Sequence, residues 1–343
     1  MRVGIMTGGG DCPGLNAIIQ TIVYKCHKEG DSVVGIFDGY KGLLNGEWKD
    51  LSTGDVEDIL DIGGTILRSS RVNPVKTEEN VKKALDNFKR TKIDALITIG
   101  GDDTLGAAFK LSTLGVPIIG IPKTVDNDLL ITDYCVGFQT AVEIATQSIR
   151  RLHTTAKSHK RVIIVEVMGR YAGWLTLMAG LAGGAHIILI PEKPFSIEEI
   201  CRIINEREVK EKTYTIIAVA EGATPETIDD IVTLGKKEDA FGHKRLGGIA
   251  KVLEKEIAER TGKETRSVVL GHVQRGGTPI AFDRILGIRL ALKALELIKK
   301  GTFGHAVCIK GLDIISVPLE KMVEKQKRVP LELFELTNNF NGI

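Results

Sequence analysis

The segment VGIMTGGGDCPGLNAIIQTIVYK (residues 3–25) joins a short apolar run, a glycine cluster and a helical pattern in direct succession. Residues 3–7 are typical of a buried strand, whereas residues 17–25 place apolar side chains at the spacing of an amphipathic helix. Glycines between a strand and a helix let the backbone approach a ligand closely, and the N–H groups at a helix start stabilise phosphate. The segment therefore predicts a parallel α/β sheet with an anion site after its first strand.

Short β-branched runs recur along the chain and alternate with helical patterns, which indicates parallel sheets. We expect strands at residues 3–7, 33–37, 95–99, 116–121, 162–167, 187–190, 215–220 and 268–271. Because the runs fall into an early and a late group, we predict two α/β lobes, each a mainly parallel sheet flanked by helices, with the active site in the cleft between them. The charged tail after Pro318 is expected to form a peripheral helix without a chemical role.

Bulk composition narrows the classes of protein that fit. The 343 residues are 43% hydrophobic and 26% charged, and at ~100–200 residues per domain this length suits two domains with sizeable cores. The net charge is +2 with both signs interspersed, which argues against a nucleic-acid or membrane surface. The chain shows no signal-peptide pattern and no apolar run of ~18 residues, and its five cysteines are scattered, so we expect a soluble cytoplasmic protein.

A second glycine cluster, GGDDT at residues 100–104, follows the predicted strand at 95–99. Carboxylates beside backbone donors would repel a phosphate unless a hard cation lies between them, and Mg²⁺ binds through one or two carboxylates plus phosphate oxygens. Asp102 is the better candidate ligand. The alternative is that Asp102 and Asp103 cap a helix through their side-chain oxygens.

A third cluster, PKTVDND at residues 122–128, follows the next predicted strand. In phosphoryl transfer a carboxylate takes the proton of the acceptor hydroxyl, and cations neutralise the developing charge. Asp126 or Asp128 is predicted to be that base, with Lys123 and Thr124 beside it. The alternative is an Asx-rich surface turn.

With these loops in this order, the chain resembles the phosphofructokinase family over nearly its whole length. The motifs that carry the resemblance are residues 9–11 (GGD), 38–40 (DGY), 63–65 (GGT) with Arg71, 100–102 (GGD), 124–128 (TVDND), 158–159 (SH) with Arg161, 166–170 (EVMGR), Glu221, 264–266 (ETR) and 271–277 (GHVQRGG). The resemblance implies a glycolytic transferase, a Mg²⁺-dependent kinase that phosphorylates the 1-hydroxyl of fructose 6-phosphate to give fructose 1,6-bisphosphate. It also implies a homo-oligomer, dimer or tetramer, with shared active sites.

The resemblance further implies which substrate each lobe binds. Residues 1–137 with about 274–302 are expected to bind the phosphoryl donor. Residues 138–273 with about 303–343 are expected to bind fructose 6-phosphate.

Individual roles also follow from the resemblance. Asp126 is implied to be the general base, with Asp128, Thr124 and Arg170 supporting catalysis and Asp102 holding Mg²⁺. The implied donor contacts are Gly10, Asp103, Thr104 and Lys123, and the implied fructose 6-phosphate contacts are Thr124, Asp126, Arg161, Met168, Gly169, Arg170, Glu221, Arg266, His272 and Arg275. Arg161 and Arg266 are implied to reach the 6-phosphate from a neighbouring subunit. Arginine suits a phosphate because it stays charged and binds bidentately.

Asp103 and Lys123 bear on the identity of the donor. ATP-using relatives usually have glycine at both positions, whereas pyrophosphate-using relatives have an aspartate and a lysine, as here. Independently of the family, an Asp103 side chain occupies room that an α-phosphate and ribose need, and a like-charge contact at ~4 Å costs ~4 kcal/mol at an effective dielectric of ~20. Pyrophosphate is therefore the predicted donor, which makes the reaction readily reversible. The alternative is a local ion pair beside a site that ATP uses.

Three further expectations concern regulation and other classes of protein. Gln20 and Tyr24 stand where allosteric bacterial members carry effector-binding arginines, so we expect no nucleotide regulation. A dinucleotide-dependent oxidoreductase is disfavoured because G-x-G-x-x-G is missing. A non-catalytic sugar-phosphate sensor is disfavoured because the candidate carboxylates Asp102, Asp126 and Asp128 are all present.

Overall fold

The computed structural model describes residues 1–226, 233–238 and 244–339, in which strands alternate with helices. The strands are β1 (Arg2–Thr7), β2 (Ser32–Ile36), β3 (Trp48–Leu51), β4 (Ala95–Gly100), β5 (Ile118–Pro122), β6 (Val162–Val167), β7 (Ile187–Leu189), β8 (Thr215–Ala220), β9 (Thr233–Glu238), β10 (Lys244–Leu246), β11 (Thr265–Val269), β12 (His305–Lys310) and β13 (Asp313–Pro318).

The helices vary from one turn to six. They are α1 (Leu15–Lys28), α2 (Tyr40–Asn45), α3 (Glu78–Thr91), α4 (Asp102–Thr113), α5 (Phe138–His159), α6 (Trp174–Gly183), α7 (Ile197–Val209), α8 (Ile249–Thr261), α9 (Ala281–Lys299), α10 (Leu319–Met322) and α11 (Leu331–Phe334), with 3₁₀ helices at Thr53–Val56, Gly271–Arg275 and Glu335–Asn339. Within the described ranges, none of these helices has both the length and the apolar character needed to cross a membrane.

The described chain divides into two compact units. The first comprises residues 1–140 and 275–327, and the second comprises residues 141–226, 233–238, 244–274 and 328–339. The expectation that residues 303–343 belong wholly to the second lobe is therefore not met, since residues 303–327 lie in the first unit. The reason is that β12 pairs in parallel with β5 and carries β13 with it as an antiparallel neighbour.

The first unit is built on a seven-stranded sheet in the order β13-β12-β5-β4-β1-β2-β3. Its central strands are parallel, and β4 and β5 are buried along their whole length, as expected for a sheet covered on both faces. The chain builds outward from β1 through β2 and then returns to place β4 on the other side of β1. Open parallel sheets bind ligands beyond the carboxyl ends of their strands at such a reversal. The loops after β1, β4 and β5 therefore meet where a ligand is expected.

The second unit contains a four-stranded parallel sheet in the order β11-β6-β8-β7. The predicted bounds of β6 and β8 are confirmed. The strand expected at residues 268–271 instead runs from Thr265 to Val269, because Leu270 makes its last bond to the sheet and the chain then turns at Gly271 (φ 52°) into a 3₁₀ helix. The fold class predicted from the sequence, mainly parallel sheets flanked by helices, is confirmed.

The tail after Pro318 differs from the single peripheral helix that was expected. It forms α10 and α11, each of four residues, with a non-helical stretch between them, and a 3₁₀ helix at Glu335–Asn339. In that stretch Gln326 makes an antiparallel bridge with Leu129, which lies just beyond the PKTVDND segment at residues 122–128.

Candidate active site

The loop after β1 is held by hydrogen bonds on both sides. The Gly8 N–H donates to the Ile99 carbonyl of β4 at 2.9 Å, and the Gly9 N–H donates to the Ser70 carbonyl at 3.0 Å. The Ser69 hydroxyl donates to the Gly9 carbonyl at 2.6 Å. Because the first two amides of the loop are engaged within the protein, the part of the loop that can receive a phosphate is its Gly10 end.

Thr104 explains why glycines open two of the loops. A Cβ at Gly8 would lie 2.7 Å from the Thr104 Cγ2, and a Cβ at Gly100 would lie 2.4 Å from it. Both distances are shorter than real Cβ contacts, so only glycine at these two positions leaves room for the Thr104 side chain. Its carbonyl also accepts a hydrogen bond from the Tyr40 hydroxyl at 3.0 Å. The structure thus places Thr104 as a buried spacer between the loops after β1 and β4.

Lys123 follows β5 and turns its side chain into the loop after β1. It is 2% exposed, and its ammonium donates to the Gly8 carbonyl at 2.8 Å and to the Gly10 carbonyl. Burial lowers the pKa of Lys123 to about 8. Carbonyl dipoles compensate the charge of a buried ammonium only in part. An anion at the Gly10 end of the loop would therefore stabilise the charged form of Lys123.

Arg275 brings a second cation to the same place. Its Nη1 donates to the Asp11 carbonyl at 3.1 Å, and a Cβ at Gly10 would lie 2.4 Å from Nη1, so the guanidinium rests on Gly10. Arg275 is 9% exposed, and within the described chain its Nε is buried without a hydrogen-bond partner. The sequence indicated a sugar-phosphate contact for Arg275. The structure adds a contact with the loop after β1 that the sequence did not indicate.

The carboxylates lie on the two loops that follow β4 and β5. Gly101 is the N-cap of α4, so Asp102 and Asp103 lie in its first turn, where the helix dipole favours negative charge. Asp126 and Asp128 are 5% and 7% exposed, which excludes the alternative of a surface turn.

Backbone contacts tie these two loops together. The Lys123 N–H donates to the Gly100 carbonyl at 3.0 Å, and a Cβ at Gly101 would lie 3.8 Å from the Thr124 Cβ. The Asp126 N–H donates to the Thr124 hydroxyl at 3.0 Å, and within the described chain the Asp126 Oδ1 is buried without a hydrogen-bond partner. An unpartnered buried carboxylate oxygen is costly unless a ligand completes it.

Asn127 shapes the loop, a role that the sequence did not reveal. Its backbone is left-handed (φ 52°), its Oδ1 accepts from the Cys135 N–H at 2.9 Å, and its Nδ2 donates to the Asp133 carbonyl at 3.1 Å. The preference of asparagine for left-handed turns was the available signal. Asn127 thereby orients the aspartates on either side of it.

The donor set is compatible with magnesium. Among the described residues no group of three or more His, Cys, Asp or Glu side chains forms a cage for a metal ion. Mg²⁺ does not need one, since it usually keeps one or two carboxylates and takes its other ligands from phosphate and water. Asp102, in the first turn of α4, offers a carboxylate of that kind.

In the second unit, the segment Met168-Gly169-Arg170 follows β6 and is fixed by two polar side chains. The Arg170 N–H donates to the Glu221 Oε1 at 3.1 Å. The Met168 N–H donates to the Gln274 Oε1 at 3.3 Å. Gln274 is fully buried, and its role was missed although it lies in the GHVQRGG motif. The structure thus brings four of the predicted sugar-phosphate contacts together.

Gln274 also positions the 3₁₀ helix Gly271–Arg275. Its Nε2 donates to the Gly271 carbonyl at 3.0 Å. His272 lies on this helix with its side chain exposed. Its contact with the sugar stays a prediction.

Arg161, immediately before β6, and Arg266, on the neighbouring strand β11, share one carboxylate. Each donates to the Glu264 Oε1 at 2.7 Å, and their side chains are 26% and 56% exposed. The Arg161 guanidinium holds the pKa of Glu264 below its ordinary value. Two positive charges against one negative charge leave a net positive site. In the described chain the Arg161 Nε is buried without a hydrogen-bond partner, so the pair suits a phosphate.

Comparison with known proteins decides the family. The phosphofructokinase family model matches residues 2–298. The chain belongs to the phosphofructokinase family. It is 53% identical to the pyrophosphate–fructose 6-phosphate 1-phosphotransferase of Amycolatopsis methanolica, with 100% of both chains covered. It is 48% identical to ATP-dependent 6-phosphofructokinase 3 of Streptomyces coelicolor, covering 96% of this chain and 97% of the relative.

The fold of the phosphofructokinase family is also found in solved structures. The phosphofructokinase of Saccharomyces cerevisiae superimposes with a TM-score of 0.81 at 30% identity, covering 94% of this chain and 44% of that chain. The pyrophosphate-dependent phosphofructokinase of Marinobacter aquaeolei superimposes with a TM-score of 0.83 at 24% identity. The recognition of the phosphofructokinase family from sequence motifs is therefore confirmed.

Proposed function

We propose that this member of the phosphofructokinase family transfers a phosphoryl group from pyrophosphate to the 1-hydroxyl of fructose 6-phosphate, giving fructose 1,6-bisphosphate and phosphate. The observation that carries the proposal is the buried ammonium of Lys123, bound to the carbonyls of Gly8 and Gly10. ATP-using relatives usually have glycine at this position. A lysine there supports a donor that places its negative charge against the loop after β1.

The charge around Gly10 supports a small and highly charged donor. Lys123 and Arg275 both reach this residue, and the buried guanidinium of Arg275 contributes to the lowered pKa of Lys123. Pyrophosphate carries several negative charges on few atoms and satisfies both cations without needing room for a nucleoside. Asp103, in the first turn of α4, adds bulk and negative charge on the side where a nucleotide would extend.

The relatives favour the same donor without excluding another. The relative that is 53% identical carries a name that specifies pyrophosphate. Use of ATP is the second candidate, and the observation that favours it is the 48% identity to a relative named as ATP-dependent. The donor therefore has to be measured.

The chemistry assigns separate tasks to the residues of the first unit. Asp126 presents its unpartnered Oδ1 as the base that takes the proton of the 1-hydroxyl while the oxygen attacks the phosphorus. Lys123 neutralises charge on the phosphate that leaves as the P–O bond of pyrophosphate breaks. Asp102, with Asp128 in support, would hold Mg²⁺, which when bound neutralises charge on the transferring phosphoryl group.

In the second unit, Glu221 and the Met168–Arg170 segment would bind the sugar, and His272 would contact it from the 3₁₀ helix. Arg161 and Arg266 would bind the 6-phosphate, each from a neighbouring subunit, which requires a homo-oligomer. The net positive charge of the arginine pair and its exposure at the sheet edge support this assignment.

A coupled assay tests the donor. Purified protein with fructose 6-phosphate and Mg²⁺ is supplied with pyrophosphate or with ATP, and turnover is expected with pyrophosphate. The double variant Asp103→Gly, Lys123→Gly is expected to lose most pyrophosphate activity and to gain measurable use of ATP. Lys76→Gly, at an exposed loop lysine, serves as the matched control and should behave as wild type. Turnover with ATP and none with pyrophosphate would refute the assignment.

A further inference from the structure

The loop that carries Asp126 and Asp128 contains a backbone conformation that needs outside support. Ile131 is left-handed (φ 70°). A β-branched side chain rarely adopts this region, because its Cβ crowds the neighbouring carbonyl oxygen. Such a residue persists only where its surroundings over-determine its conformation. The contacts made by the flanking residues therefore decide whether the loop keeps its shape.

Lys327 supplies contacts on both sides of Ile131. Its backbone N–H donates to the Asp128 carbonyl at 2.7 Å. Its ammonium donates to the Thr132 carbonyl at 2.8 Å and to the Asp133 carbonyl at 3.1 Å. One residue, distant in sequence, thus fastens the catalytic end of the loop to its far end.

The far end is itself anchored. The Asp133 carboxylate accepts from the Lys310 ammonium at 2.8 Å and from the Gly311 N–H at 2.7 Å, both in the hairpin of β12 and β13. Lys327 therefore connects the catalytic residues to a fixed point of the sheet.

The side chain of Lys327 suits this task chemically. It is half-buried, and burial lowers its pKa. An ammonium carries three donors that can reach two carbonyls at once, and hydrogen bonds from a charged donor are stronger than neutral ones. An apolar side chain of the same length would leave both carbonyls without this partner.

We propose that Lys327 is a positioning residue for phosphoryl transfer, which holds the loop of residues 128–133 so that Asp126 and Asp128 keep their productive geometry. The proposal rests on the proposed function, in which these carboxylates act on the substrates. Lys327 acts through the loop and does not touch the reacting groups.

The test compares Lys327→Met, which keeps the length and removes the donors, with Lys327→Arg, which keeps the charge. Lys325→Met, at an exposed lysine two residues away, is the matched control. A misplaced catalytic group lowers turnover without weakening binding, so Lys327→Met is expected to lower kcat roughly 10- to 100-fold while both KM values stay within about threefold. Lys327→Arg should recover most of kcat, and Lys325→Met should match wild type.

A second measurement is independent of turnover. Hydrogen exchange of the amides of residues 128–133 should accelerate in Lys327→Met and not in Lys325→Met. A lower unfolding temperature with unchanged kcat and unchanged exchange would show a purely structural role and overturn the proposal. If Lys327→Met does not fold, Lys327→Gln is assessed by the same criteria. Wild-type protein that is inactive with both donors would refute the proposed function, whereas exchange would still decide whether Lys327 holds the loop.

Discussion

The loop after β1 in the first unit and the pair Arg161 and Arg266 in the second unit hold positive charge in opposite ways. Lys123 and Arg275 are nearly inaccessible and bind backbone carbonyls, whereas Arg161 and Arg266 remain partly exposed and share the carboxylate of Glu264. Buried cations have lost their water and gain most from a bound anion, while exposed ones keep much of their hydration. We infer that the proposed site for the phosphoryl donor is formed by residues of one chain. The proposed site for the 6-phosphate of the sugar would be formed only when subunits associate.

The sharpest way to break this comparison is to alter one carboxylate in each unit. Asp126→Asn removes the proposed base and is expected to lower kcat by roughly 1,000-fold, with little change in KM for fructose 6-phosphate. Glu221→Gln removes charge from a group proposed to bind sugar hydroxyls, and is expected to raise that KM by roughly 3- to 10-fold. Steady-state kinetics on both variants measure the difference.

Thermal unfolding of both variants provides the control, since each should remain folded at the assay temperature. Equal losses of kcat in the two variants would contradict a division into a chemical region and a binding region.

Assembly of the sugar-phosphate site is tested by mixing two impaired variants at a fructose 6-phosphate concentration near the wild-type KM. Arg266→Ala is expected to raise KM for fructose 6-phosphate roughly 10- to 100-fold, because a charge-assisted contact with phosphate is lost. If Arg266 serves the neighbouring subunit, Arg266→Ala refolded together with Asp126→Asn forms mixed oligomers with some intact sites. Random pairing in a dimer would restore about a quarter of wild-type activity.

Either variant refolded alone is the control for this mixture. Activity of the mixture no greater than the mean of the two variants would place Arg266 and Asp126 in the same subunit's site, and the proposed sharing would be wrong.

Much of the first sheet was predictable because its central strands are continuous apolar runs that end in glycines. The runs at residues 3–7 and 95–99 correspond closely to β1 and β4. By contrast, no local pattern states which sheet edge a late strand joins. β12 reaches β5 through a parallel pairing of His305 with Ile119, and this non-local contact moved residues 303–327 into the first unit.

The candidate site shows the same limit at the level of side chains. Motifs identified Lys123 and Asp126, because their residue types carry chemistry in themselves. Gln274 and Lys327 act by hydrogen bonds to backbone groups that are far away in sequence, and such partners become visible only when the chain is folded. Asn127 binds backbone groups six and eight residues ahead, which become its partners only once the loop has its folded shape. Sequence therefore predicts the groups that react better than the groups that hold them.

The smallest expected effect concerns the titration of Lys123. Burial lowers its pKa from the ordinary 10.5 to about 8. Between these values the unfolded chain binds the proton more often than the folded chain, so the free energy of unfolding rises with pH across this window, by at most about 3 kcal/mol. Affinity for pyrophosphate should move in the opposite direction, because an anion favours the charged lysine that is lost as pH rises.

Lys123→Met isolates this contribution, since every other titrating group is common to both proteins. Denaturant unfolding at pH 7.5 and 9.5 should show wild type gaining stability relative to Lys123→Met, while KM for pyrophosphate rises in wild type. Arg266→Met is the counterpart in the second unit and should show no such relative gain, because arginine does not titrate in this range. If the difference in unfolding free energy between wild type and Lys123→Met does not change with pH, burial does not lower the pKa of Lys123. The two regions would then differ only in how exposed their cations are.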